Sequence, residues 1–248
     1  MLAKFEPPAA SAYPKGELGA AVQRGEKIVT LTPQLLRENV GNTLSCTSCH
    51  LSGGRVKDAL PWVGVYSQFP QYNARAGFVI TLEDRINQCF LRSLNGHALK
   101  PDSQAMRDIV AYIAWLSKGV PVGEKMNGSG IKYLTIKDKS DSVAGKSLYS
   151  AKCAACHGTN GEGKSDSSGH VLYTALWGQQ SFNDGAGMTR PHTAEAFIKS
   201  NMPFGSGGTL TDKEARDIAA YVTAQPRPKF GSKNKDWPHG GKPEDATY

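Results

Sequence analysis

The sequence predicts a mainly α-helical chain built from two tandem units. A Cys-x-x-Cys-His motif occurs twice, as Cys46-Thr-Ser-Cys49-His50 and Cys153-Ala-Ala-Cys156-His157, 107 residues apart. A helical segment recurs at nearly the same shift: Arg107-Asp-Ile-Val-Ala-Tyr-Ile113 returns 109 residues later as Arg216-Asp-Ile-Ala-Ala-Tyr-Val222. Ahead of each motif, Gly25-Glu-Lys-Ile28-Val29 matches Gly145-Lys-Ser-Leu148-Tyr149.

Each unit therefore reads as helix, motif loop, middle section and terminal helix. In the opening helix a glycine lets a second helix approach closely. In the terminal helices Ile109, Tyr112, Ile113 and Leu116 form one apolar stripe, and Ile218, Tyr221 and Val222 form another. Thr211 followed by Glu214 is a capping box that starts the second of these helices. The units are expected at 1–119 and 143–248. Residues 120–142 hold Ser/Gly/Pro-rich sequence and read as a linker. The proline- and lysine-bearing last two dozen residues read as an extended tail.

Composition narrows the function. Hydrophobic residues make up 39% of 248, so a packed core is available. The apolar run from Ile109 to Leu116 is too short to span a bilayer. The formal charge of +7 comes from basic residues spread along the chain rather than clustered, which is compatible with an anionic substrate and gives no evidence for nucleic acid. The first fifteen residues contain no apolar signal core, so the chain reads as a mature or recombinant form starting at Met1.

The Cys-x-x-Cys-His pattern is the one that covalent haem attachment requires. Two thiols two residues apart each add to one porphyrin vinyl group, and the following histidine takes the iron as proximal ligand. A redox dithiol needs no adjacent histidine, and a zinc site needs its four ligands in one cluster. Two covalently attached haem c groups are therefore expected, at Cys46, Cys49 and His50 and at Cys153, Cys156 and His157. Such attachment implies maturation outside the cytoplasm, hence a periplasmic location.

Each iron needs a second ligand. In the second unit Met202-Pro203 lies 45 residues after His157, where a resemblance to class I cytochrome c domains implies a methionine ligand, Met202. The first unit has no Met-Pro; Cys89, His97 and Met106 are its candidates. Thr81 to Phe90 aligns without gaps on Thr193 to Met202, placing Cys89 within one residue of the Met202 position. That favours Cys89, with His97 as the rival. From Thr81 and Asp84, which resemble a cap box, Arg85, Cys89 and Arg92 fall on one helical face. Guanidinium groups there suit a small oxyanion, which makes Arg85 and Arg92 substrate-binding candidates.

On these motifs the chain resembles tandem class I cytochrome c domains over nearly its whole length. With the lone cysteine in Arg-Ile-Asn-Gln-Cys89 and the distal Met202-Pro203, it is similar to the thiosulfate dehydrogenase family. The resemblance implies joining of two thiosulfates into tetrathionate, two electrons passing through a His/Cys haem and then a second haem. It implies Cys89 as ligand and reaction centre, with Arg75 and Arg85 as substrate-binding arginines. It also implies a soluble cytochrome c or a high-potential iron–sulfur protein as acceptor. Some members carry lysine where this chain has Asn201, and there either residue ligates the second iron according to redox state. Asparagine is a poor ligand, so Met202 is expected to serve in both states. Lys199 is a possible substitute.

Overall fold

The opening and terminal helices of each half cross at a glycine, and the rest of the half is arranged around that crossing. The computed structural model describes residues 4–248, so the start at Met1 lies outside the described residues. The first half contains helices α1 (Gly16–Thr30), α2 (Thr32–Leu35), α3 (Leu51–Gly54), α4 (Leu82–Arg92) and α5 (Gln104–Leu116). The second contains α6 (Ser142–Lys152), α7 (Ala154–His157), α8 (Pro191–Asn201) and α9 (Asp212–Thr223). The strands among the described residues form two antiparallel hairpins, β1 (Gln71–Asn73) with β2 (Phe78–Ile80) and β3 (Lys164–Ser165) with β4 (Val171–Tyr173).

Helix α1 packs on α5 and α6 packs on α9. A Cβ on Gly25 would lie 2.0 Å from the Asp108 carbonyl oxygen, and one on Gly145 2.0 Å from that of Asp217. The glycines are what permit the approach. Beside each crossing the repeated aspartate is buried and paired. Asp108 accepts from Arg24 Nε and Nη2, both at 2.9 Å, and Asp217 accepts from Lys213 Nζ at 2.6 Å.

The apolar stripe of α5 is buried throughout, and Ile218 and Val222 are buried on α9. Tyr221 is only half-buried, and its ring meets both the fully buried Tyr149 and Trp177 in a three-ring cluster. The capping box at Thr211 forms as expected: Glu214 N donates to Thr211 Oγ1 at 3.1 Å and Thr211 N to Glu214 Oε2 at 2.8 Å. Thr81 and Asp84 make the corresponding box at the start of α4.

The halves interlock. Phe182 and Ala186 of the second half are buried in the core of the first. Asn42 Nδ2 donates to Ser93 O (2.9 Å) and Ser181 O (3.1 Å), and Asn183 Nδ2 donates to Leu91 O (2.9 Å). The stretch 120–142 also packs inward: Gly128 O accepts from Asp58 N at 3.0 Å, Gly130 O accepts from Leu60 N at 2.9 Å, and Met126 is buried. The C-terminal tail crosses onto the first half, where Trp237 N donates to Arg75 O at 2.9 Å.

Candidate functional site

The first Cys-x-x-Cys-His motif forms a short 3-10 turn, Cys46–Ser48, capped by Ser45 and Ser48. Thr32 Oγ1 accepts from Cys46 N at 3.2 Å and anchors the turn to the start of α2. His50 follows, its ring stacked on Trp62 with centroids 4.5 Å apart. Its Nδ1 donates to Leu60 O at 2.5 Å, which leaves the Nε2 lone pair for a metal. Burial, with a smaller contribution from the Arg85 charge, pushes the His50 pKa down to about 4, so the ring is neutral as a ligand must be. Burial also pushes the Cys46 and Cys49 thiols up to about 12.

These residues open onto a cavity of about 560 Å³. Trp62, Phe90, Ile109 and Ile113 of the first half line it, Met126 and Tyr133 come from the connecting stretch, and Phe182 and Met188 come from the second half. Cys89 and Arg85 line it too, and Arg85 Nη1 donates to Cys89 Sγ at 3.3 Å. Among the described residues no carboxylate lines this cavity, and its cations are Arg85 and Lys125. Two thiols two residues apart in the chain, a neutral imidazole with a free nitrogen, a third sulfur and an apolar wall fit one covalently held porphyrin.

The rival ligands lie elsewhere. His97 is exposed, and Met106 is buried in the core but does not itself line the cavity. Arg75 and Arg92 are not in the cavity wall either. Both converge on the buried carboxylate of Asp236: Arg75 Nε donates to Oδ2 at 2.7 Å, and Arg92 Nη2 donates to Oδ1 at 2.7 Å. Arg75 further bonds Tyr248 and donates to Gly185 O at 2.7 Å. Arg92 leaves the Arg85–Cys89 face because its guanidinium stacks on Phe230, 4.1 Å from the ring centroid.

The second motif repeats the first in its ligand geometry. His157 Nδ1 donates to Thr174 O at 2.9 Å, again freeing Nε2, and burial lowers its pKa. Cys153 is pushed up to about 11 by burial. Trp177 packs with Tyr149 behind this motif, as Trp62 packs with Tyr112 behind the other. Met202 is half-buried at the C-cap of α8, extended at φ −120° and ψ 149° as a residue before proline prefers. Asn201 is buried, and Lys199 is turned onto the carbonyls of Gly208 and Leu210 and onto Asp212 at 3.4 Å.

Sequence reasoning missed Ser93, Lys125 and Leu60. Ser93 also lines the cavity, and its spacing of four from Cys89 was a usable helical signal. Lys125 sits in a stretch with no periodicity, and Leu60 acts through its carbonyl, which no side-chain pattern reveals.

The family described as "SoxA/TsdA, cytochrome c domain" matches residues 36–122, and "Cytochrome c" matches 142–225. A thiosulfate dehydrogenase of Psychrobacter arcticus is 48% identical over 241 residues, covering 96% of this chain and 73% of its own. One of Allochromatium vinosum is 49% identical over 227 residues, covering 90% and 84%. Among solved structures, the thiosulfate dehydrogenase TsdBA of Marichromatium purpuratum superposes with a TM-score of 0.86 at 37% identity, over 91% of this chain and 50% of that one.

Proposed function

The chain belongs to the thiosulfate dehydrogenase family, and from that premise we propose that Cys89 is the reacting sulfur of an enzyme that couples two thiosulfates into tetrathionate. The chain is an oxidoreductase acting on thiosulfate, with two covalently attached haem c groups. The haems supply one-electron acceptors, one each for the two electrons released when the S–S bond forms. Cys46 and Cys49 hold the first and Cys153 and Cys156 the second. We assign His50 with Cys89 as the residues that would hold the first iron, and His157 with Met202 as those that would hold the second.

The observation that carries the reading is the Arg85–Cys89 contact inside the cavity that His50 also lines. A thiosulfate dianion is drawn to Arg85 and Lys125 in a wall that offers it no opposing carboxylate. The Cys89 thiolate and the sulfane sulfur of the first thiosulfate lose two electrons and join as a cysteine S-thiosulfonate. The sulfane sulfur of a second thiosulfate attacks the sulfur bonded to Cys89 Sγ in that adduct. The Cys–S bond breaks, tetrathionate departs and the Cys89 thiolate is restored. Arg85 faces the sulfur at both stages, steadying negative charge on substrate and on the departing thiolate.

Two further readings rest on the same chemistry. Covalent haem attachment supports a periplasmic location. The acceptor is a soluble cytochrome c or a high-potential iron–sulfur protein, since each takes single electrons; no helix among the described residues is long and apolar enough to cross a membrane.

The test is thiosulfate-dependent reduction of ferricyanide by the holoprotein, with tetrathionate quantified. One tetrathionate per two electrons is expected, and Cys89→Gly should retain both haems and lose turnover. An active Cys89→Gly protein rules out the reacting role of that sulfur. Reducible haems without any tetrathionate would mean a pure electron carrier.

A further inference from the structure

The side chain of Asn201, the last residue of α8, has a defined use. It is 8% exposed at the last turn of α8. Its Nδ2 donates to Phe197 O at 3.1 Å within the helix and to Asp58 O at 3.2 Å in the first half. Asp58 opens a three-residue stretch that ends at Leu60, whose carbonyl holds the His50 ring at 2.5 Å. Asp58 and Leu60 both have positive φ, 59° and 54°, a conformation that side chains resist and that persists only where neighbours fix it. Gly128 and Gly130 fix their N–H groups from one side, and Asn201 fixes the Asp58 carbonyl from the other.

On the α8 side the next residue is Met202, whose N–H donates to Ile198 O at 2.9 Å. An unbroken path therefore runs from Met202 through Asn201, across one hydrogen bond to Asp58, along the chain to Leu60, and across a second hydrogen bond to His50. The geometry points to Asn201 as a positioning residue that couples the two haem sites. It fastens the loop orienting the proximal histidine of one site to the helix presenting the distal methionine of the other. This rests on reading His50 and Met202 as iron ligands.

The physical basis is the partner behind each ligand. The Leu60 carbonyl sets both the orientation of the imidazole and the electron density it offers, and such partners tune metal sites as strongly as changes of ligand environment do. Release of Asp58 loosens Leu60 and with it the His50 bond, while the Met202 loop loses its tether to the first half. The amide suits the task because it donates two hydrogen bonds from one nitrogen, to Phe197 and to Asp58. A carboxylate at this position would have no donor to offer. With the haems bound, the property affected would be the ease of passing single electrons from the first site to the second.

The experiment uses the holoprotein, Asn201→Leu and Asn201→Gln. Haem content is measured, and a spectroelectrochemical titration resolves the two haems. Rapid mixing with thiosulfate follows reduction of the second haem after the first. Asn201→Leu is expected to keep two haems per chain, to shift both midpoint potentials and to slow electron passage between haems about tenfold. Asn201→Gln, which keeps a donor, should return the first-haem potential toward that of the parent. A shift confined to the second haem overturns the coupling, as does no shift at either. Met202→Ala tests the premise separately: if its second haem keeps the parent's near-infrared thioether signature, Met202 is not the ligand and the inference falls with it.

Discussion

Arg85 reaches Cys89 by helix geometry alone, one turn back along α4, and so the pair was legible in the sequence before any tertiary contact was known. Its contribution can be bounded. A hydrogen bond to a charged group is worth about 1.5–3 kcal/mol, so Arg85→Leu should raise the KM for thiosulfate roughly ten- to a hundredfold. Arg85→Lys keeps the charge but loses the planar fork, and should fall between the two. Steady-state kinetics across a range of salt concentrations checks this; equal KM values for all three proteins would remove Arg85 from substrate binding. Arg75 and Arg92 were not legible in the same way. Their partner Asp236 lies 161 and 144 residues away, beyond the reach of any local pattern.

Among the elements, the repeat was readable because both halves solve the same packing problem, with glycine at the helix crossing and a buried aspartate beside it. Gly25→Ala would drive a methyl group into the Asp108 carbonyl, a backbone atom that moves only if α1 and α5 separate. A loss of about 1–3 kcal/mol is expected from such overpacking. Thermal unfolding followed through haem absorbance should register it as a lowered Tm, while an unchanged Tm would mean the crossing has slack. The ungapped alignment of Cys89 near Met202 did hide a difference in helix phase. Pro191 starts α8 early and Pro203 stops it at Asn201, so Met202 stands just beyond a helix whereas Cys89 lies within one.

Over the whole molecule, the sequence marked the last two dozen residues only as a tail, because carboxylates scattered among prolines and lysines, Asp236, Glu244 and Asp245, carry no signal of their own. In the fold Asp236 gathers Arg75, Arg92 and the Tyr248 hydroxyl, the last at 2.5 Å, and is almost entirely buried. Asp236→Ala would leave two largely buried guanidinium groups without their counter-charge, a defect that costs about 3–5 kcal/mol. The expected outcome is a lower unfolding temperature with early proteolytic cleavage between residues 232 and 248. Wild-type resistance of that segment would show that the arginines do not hold it.

The wall around the first cavity has three origins: Trp62 and Phe90 from one half, Met126 and Tyr133 from the connecting stretch, Phe182 and Met188 from the other half. A gene fragment ending after α5 would encode the first attachment motif and Cys89 yet only part of the chamber around them. Transplanting this chemistry onto another scaffold therefore means carrying three separated stretches of chain, and shuffling one half among homologues means matching its surface to the half it inherits.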